Sequence, residues 1–175
     1  MPSRYYFLSS LPMLRFQDHA PLSWERFLSE AKGNVSDTDY SLLCSLPERK
    51  DGGNAFLKRW AELNNSLDEA INVQRRLKLG RPVDSGVVFS EYEIEHTANA
   101  ALNAKNPLEA EMLIMRFQYD YLETEKGFDP FTESALFAYA LQLRILLRKD
   151  HFTVEEGNKE YEKLFASIQN ELKME

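Results

Sequence analysis

The stretch from Asn54 to Leu79 constrains the fold more than any other. Phe56, Trp60, Leu63, Leu67, Ala70, Gln74 and Leu77 recur at alternating steps of four and three. That spacing puts them on one face of an α-helix, whereas a strand would scatter them over both faces. Lys58, Arg59, Glu62, Asp68, Glu69, Arg75 and Lys78 occupy the remaining circumference. A long helix with a single apolar stripe needs neighbours to cover that stripe. Gly80 and Pro82 supply its stop.

The neighbours are legible on either side. Residues 22–32 predict a short helix capped by Ser23, with Trp24, Phe27 and Leu28 facing inward and Gly33 behind it. Residues 37–46 predict another, capped by Ser36 or Asp37 and ended by Pro47. The charged, glycine-rich run 48–54 reads as a loop. Residues 91–104 read as helix, and Asn106-Pro107 is a strong start for the next, 107–125. That helix carries two seams: Leu108, Met112, Met115, Tyr119 and Leu122 on one, Leu113, Phe117 and Tyr121 on the other. Two seams predict packing on two sides and a central position.

Residues 131–149 form a more apolar helix, in which Gln142 and Arg144 are the polar residues between Ala135 and Leu147. A final helix over about 153–172 begins with a capping box from Thr153 to Glu156. Sustained strand alternation is absent. The expected fold is all-α, an irregular bundle of about six to seven helices in a single helical domain, 1–175. Residues 80–90 hold two glycines and a proline. They are the best candidate for a hinge, which would divide that single domain into lobes 1–80 and 91–175.

Composition narrows the function classes. The chain of 175 residues is 43% hydrophobic and 12% aromatic, enough to build a core rather than a disordered segment. Its net charge of −7 disfavours general nucleic-acid binding, which relies on clustered lysine and arginine. The single cysteine, Cys44, implies no internal disulfide, and between Leu43 and Ser45 it reads as a buried structural thiol. The first residues, MPSRYYFLSSLPMLRF, have a basic start and an aromatic run, but Ser9, Ser10 and Pro12 interrupt it. A secretory signal needs an unbroken apolar core and a small-residue cleavage site. The segment is therefore expected to be the first core element, with Tyr5, Leu8, Leu11 and Leu14 on one buried face. A membrane span would need roughly 20 apolar residues.

Reactive constellations are sparse. Glu93 and His96 have the spacing of a di-iron helix, but such sites need a second E-x-x-H pair and two more glutamates. With His19, His96 and His151 as the full set of histidines, a solvated acidic face is the simpler reading. The stretch 80–86 lacks the Lys-Ser/Thr pair of a phosphate loop. No catalytic residue, metal or cofactor is expected. Arg75, Arg76, Lys78 and Arg81 form a basic cluster in an acidic chain. It either complements a helix C-terminus or docks an acidic partner. Arg116 and Arg144 sit within strongly apolar helices. Glu109, Glu111 and Asp120 are their expected ion-pair partners, with at least one pair reaching a neighbouring helix.

Three stretches carry a family resemblance: RYYFLSSLPMLRF at the start, NPLEAEMLIMRF at 106–117, and FDPFTESALFAYALQLRILLRKDHFTVEEGNKEYEKL at 128–164. They resemble an uncharacterised bacterial family encoded among the subunits of V-type (archaeal-type) ATPases. There is a fainter similarity to the helical socket of those ATPases, the component that joins the rotating stalk to the membrane ring. Tyr5, Tyr6, the run Leu141 to Arg144 and the run Thr153 to Glu156 occupy similar places. The socket has three similar helical lobes, for which this chain is too short. The resemblance implies a non-catalytic subunit or accessory factor in ion transport, coupling proton or sodium translocation. It also implies stalk or ring subunits as partners and a cytoplasmic location, peripheral to the membrane through them. The alternative is a stand-alone cytoplasmic helical adaptor or regulator.

Overall fold

The computed structural model describes residues 4–46, 53–81 and 92–152. Among them are seven helices and no strand: α1 Arg4–Ser10, α2 Trp24–Ala31, α3 Asp37–Ser45, α4 Ala55–Lys78, α5 Tyr92–Leu102, α6 Pro107–Glu125 and α7 Glu133–Asp150. The expected final helix over 153–172, most of the 48–54 loop and the 82–90 part of the hinge lie outside the described residues.

Polar residues at the helix starts explain the boundaries. Ser23 accepts from the Arg26 amide at 3.3 Å and Ser36 from the Asp39 amide at 3.1 Å. Asn54 accepts from the Phe56 and Leu57 amides, at 2.9 and 3.1 Å. Asn106 accepts from the Glu109 amide at 2.8 Å, with Pro107 in the first turn, where a missing N–H does no harm. Thr132 does the same for Ala135. Each of these side chains satisfies amide donors that a helix leaves open at its start.

Helix α6 organises the packing. Met115, Tyr119 and Leu122 enter one core. Ile114, Phe117 and Tyr121, on the other side, pack against a second. The first core joins Phe7, Phe16, Phe27, Leu43 and Leu57 to buried side chains of α7, including Leu136, Phe137 and Leu146. The second joins Leu63, Leu67, Ala70 and Ile71 of α4 to Ile94 and Ala98 of α5. Trp60 packs against both. Helix α4 runs antiparallel to α6: Arg59 pairs with Glu125 at 2.9 Å, and Asn64 accepts from Gln118 at 2.6 Å. Helix α7 also opposes α6, through Gln142 to Glu123 at 2.9 Å and Arg148 to Glu111 at 2.8 Å.

The expected division into lobes 1–80 and 91–175 is not followed by this packing. Both cores draw residues from either side of 80–90. The physical reason is that α6 presents apolar side chains on two sides and so joins both cores. The two-sided packing expected of α6 is present, although Leu108 and Leu113 lie at its exposed edges.

The N-terminal segment departs from expectation in its orientation. Phe7 is the residue of α1 that enters the core, at 3% exposure, while Tyr5 is 54% and Tyr6 72% exposed. Leu8, Leu11 and Leu14 are half-buried against the core. Tyr5 instead lays its ring on Phe131, with centroids 4.2 Å apart. The Arg4 Nε donates to the Phe131 carbonyl at 3.2 Å. The loop after α1 is fastened to α7: the Tyr139 hydroxyl donates to the Pro12 carbonyl at 2.9 Å. Lys149 donates to the carbonyls of Phe16 and Asp18, at 2.5 and 2.6 Å. Asp150 accepts from the Ala20 amide at 2.7 Å.

This arrangement separates two neighbouring aromatics. Phe7→Ala is expected to destabilise the protein by about 3–5 kcal/mol, the usual effect of emptying a buried phenyl site. Tyr5→Ala is expected to cost less than about 1 kcal/mol, as for an exposed side chain. Urea unfolding of the two variants, followed by far-UV circular dichroism, measures the difference.

Candidate interaction surface

Helix α4 outruns the core it helps to build. Its last buried residue is Ile71, and Arg75 through Arg81 are all exposed. At a rise of 1.5 Å per residue, Leu79 lies about 12 Å beyond Ile71 along the helix axis. The end of the helix closes with a Schellman arrangement: Gly80 donates to the Leu77 carbonyl at 3.0 Å and Arg81 to the Arg76 carbonyl at 2.9 Å. This closure requires a left-handed residue, and Gly80 supplies it at φ +63°. The two positions that commonly make an apolar contact across such a turn are here Arg76 and Arg81, both charged.

The four basic residues singled out from sequence are thus brought together on one projecting helix end. Arg75, Arg76 and Lys78 stand in the last turn of α4, where the open carbonyls favour positive charge. Lys78 also donates to the carbonyl of Leu102 at 2.9 Å, which draws the C-terminal ends of α4 and α5 together. Two leucines accompany the charges. Leu77 was expected on the buried seam but is 55% exposed, and Leu79 is 67% exposed. The seam keeps its period along the chain, whereas the last buried residue of α4 is Ile71. Leu79 follows no seam position, so periodicity gives no sign of it. Its place at the C-cap is what brings it to the surface.

The other sequence candidates fall elsewhere. Glu93 and His96 are exposed on α5, with Tyr92 packed on the His96 ring at 6.1 Å between centroids. Among the described residues no cluster of His, Cys, Asp or Glu is arranged to hold a metal ion. Cys44 is exposed, contrary to the buried thiol expected, because α3 turns Leu43 inward instead. Hydrogen bonding with Cys44, followed by burial, holds the Tyr40 hydroxyl above its usual pKa.

Arg116 pairs with Asp120 at 2.7 Å, one turn along its own helix, rather than with a neighbouring helix. Two positions four apart share a face, so the nearest carboxylate wins. The Arg116 guanidinium also lies 5.2 Å from the Phe16 ring centroid, and that of Arg144 lies 5.4 Å from the Trp24 ring. Glu109 accepts from the Lys105 amide at 2.9 Å at the start of α6. Glu111 makes an interhelical pair with Arg148, a residue that its sequence context does not single out.

Polar groups at the α6–α7 seam have shifted ionisation. Burial would raise the Glu123 carboxyl, but hydrogen bonds from Gln142 and Lys126 outweigh it and hold the group below its usual range. Burial, reinforced by Glu123 and Asp120, pushes the Tyr119 hydroxyl up to about 12. Burial, then Glu30, likewise raises Tyr139. No protein-family model, curated protein or solved structure matches the chain. No helix among the described residues is long and apolar enough to cross a membrane.

A raised tyrosine pKa means that the folded state holds the proton more tightly than the unfolded state. Its stabilising contribution is complete below pH 10 and is lost as pH rises through about 12. Thermal melts between these limits are expected to fall steadily for the parent protein. Tyr119→Phe is expected to fall less steeply, because it carries no proton to lose at that site.

Proposed function

We propose that this protein is a non-catalytic helical subunit or accessory factor of a bacterial V-type ATPase. In this reading it is a socket-like coupling or assembly element between stalk and membrane ring. The resemblance of residues 4–16, 106–117 and 128–164 to the ATPase-associated family carries the reading. Two structural observations are compatible with it. Helix α6 is shared by two cores, so force applied at one end of it is opposed by packing on both of its sides. Close-packed interiors have low compressibility and transmit strain, which a coupling element needs. An exposed basic helix end offers a contact for an acidic neighbour.

The role requires binding and stiffness rather than a reaction. Association with the stalk or ring would bring the protein to the cytoplasmic side of the membrane through its partners. The stand-alone adaptor is the second reading, and the projecting basic end of α4 is the observation that favours it, since such a surface can serve one partner without a larger complex.

The two readings separate in one experiment. The full chain carrying an affinity tag is expressed in its native host and recovered from detergent-solubilised membranes. Stalk or ring subunits are expected to co-purify in fixed ratio. Recovery of the tagged protein without any of them, together with an intact ATPase in cells lacking the gene, would exclude the ATPase role.

A further inference from the structure

Among the described residues, Asp39 and Gln142 are the buried polar or charged side chains. Gln142 stands in the middle of α7 between Leu141 and Leu143, at 4% exposure. A buried amide without hydrogen bonds is costly. The Gln142 Nε2 donates to the Glu123 carboxylate at 2.9 Å and to the Tyr119 carbonyl at 3.3 Å. Both acceptors belong to α6, one turn apart.

The apolar residues around this amide do not fix how far α6 slides along α7. Leu108, Met112, Met115, Tyr119 and Leu122 alternate steps of four and three. A slip of one turn, about 5 Å, therefore replaces one apolar member of the seam by the next. Helix α7 is buried from Ala135 to Ala138 and from Ala140 to Leu143, so successive turns of it offer apolar side chains. The connection, residues 126–132, can reach roughly 23 Å, against a helix spacing of about 8–10 Å. It has slack for such a slip. The Arg148–Glu111 pair is 54% and 37% exposed, and exposed pairs contribute little.

We infer that the hydrogen bond from Gln142 to Glu123 sets the register of α6 against α7. After a one-turn slip, the place of Glu123 passes to Tyr119, Asp120, Lys126 or Gly127. Of these, Asp120 alone carries a carboxylate. It is one methylene shorter and is held by Arg116 at 2.7 Å. A slipped pair thus buries the amide with its donors open, a cost that the native register avoids. A single buried polar residue fixes alignment in coiled coils in the same way. The inference does not depend on the ATPase reading.

Gln142→Met tests it, because methionine is unbranched and of similar length but has no amide. Glu123 is 52% exposed, so water replaces the bond that it loses. The nitrogen-labelled full chain is followed by amide proton–nitrogen correlation spectra. The parent is expected to give one set of peaks. Gln142→Met is expected to keep its far-UV circular dichroism and a urea midpoint no lower than the parent's. It should nevertheless show a second set for α6 and α7, at about 10% of the first or more. Methyl contacts in that second set should be displaced by one turn. Gln142→Leu, a different apolar shape, should behave alike. Glu123→Gln keeps an acceptor oxygen at the same reach and should give one set.

One set of peaks in both Gln142 variants would overturn the inference, because packing alone would then fix the alignment. Unfolded spectra from both would overturn it too, since Gln142 would then support stability rather than register. So would a second set with undisplaced methyl contacts, or a second set in Glu123→Gln.

Discussion

Everything in this fold depends on α6 having two apolar sides. A helix with one stripe can be peeled from its core, but a helix with two is held from both directions. Met115 and Leu122 are fully buried on one side, and burial of side chains of that size contributes about 1.5–3 kcal/mol each. The opposite side, through Ile114, Phe117 and Tyr121, closes the smaller core of α4 and α5. Helix α5 covers the middle of the α4 stripe through Ile94 and Ala98, and α6 closes the same core from the other side.

The N-terminal segment depends on α7 in turn. Phe7 and Phe16 contribute side chains to the larger core, but the chain that follows α1 makes its polar contacts to α7. Lys149 bonds two loop carbonyls and lies 5.3 Å from the Phe16 ring. Asp150 takes the Ala20 amide and the His19 ring nitrogen. These bonds satisfy backbone groups that have no helix to pair with, and buried or half-buried groups of that kind are costly when left open. The segment is thus held by the C-terminal end of the most buried helix, a contact spanning most of the sequence.

Sequence periodicity located the helices well because most of them begin with a side-chain acceptor and several are followed by glycine or proline. Ser23, Ser36, Asn54, Asn106 and Thr132 all cap as their chemistry requires. Periodicity was less able to say how far along a helix the partner extends. Leu77 lies on the same seam as Leu67, yet one is exposed and the other buried. The basic cluster was legible as a run of residue types, but its exposure beyond the last buried residue of α4 was not. Cys44 shows the same limit, since a neighbouring leucine decides only that one of the two faces inward.

The sequence by itself determined that the chain is helical, where most of its helices start, and that α6 would be covered on two sides. These are local matters of capping and of the 3.6-residue period. Tertiary structure alone decided which residue of α1 enters the core, how the two cores share residues from either side of 80–90, and how far along α4 burial extends. Those outcomes are set by the relative lengths and positions of packed helices, and no spacing within one helix encodes the length of another.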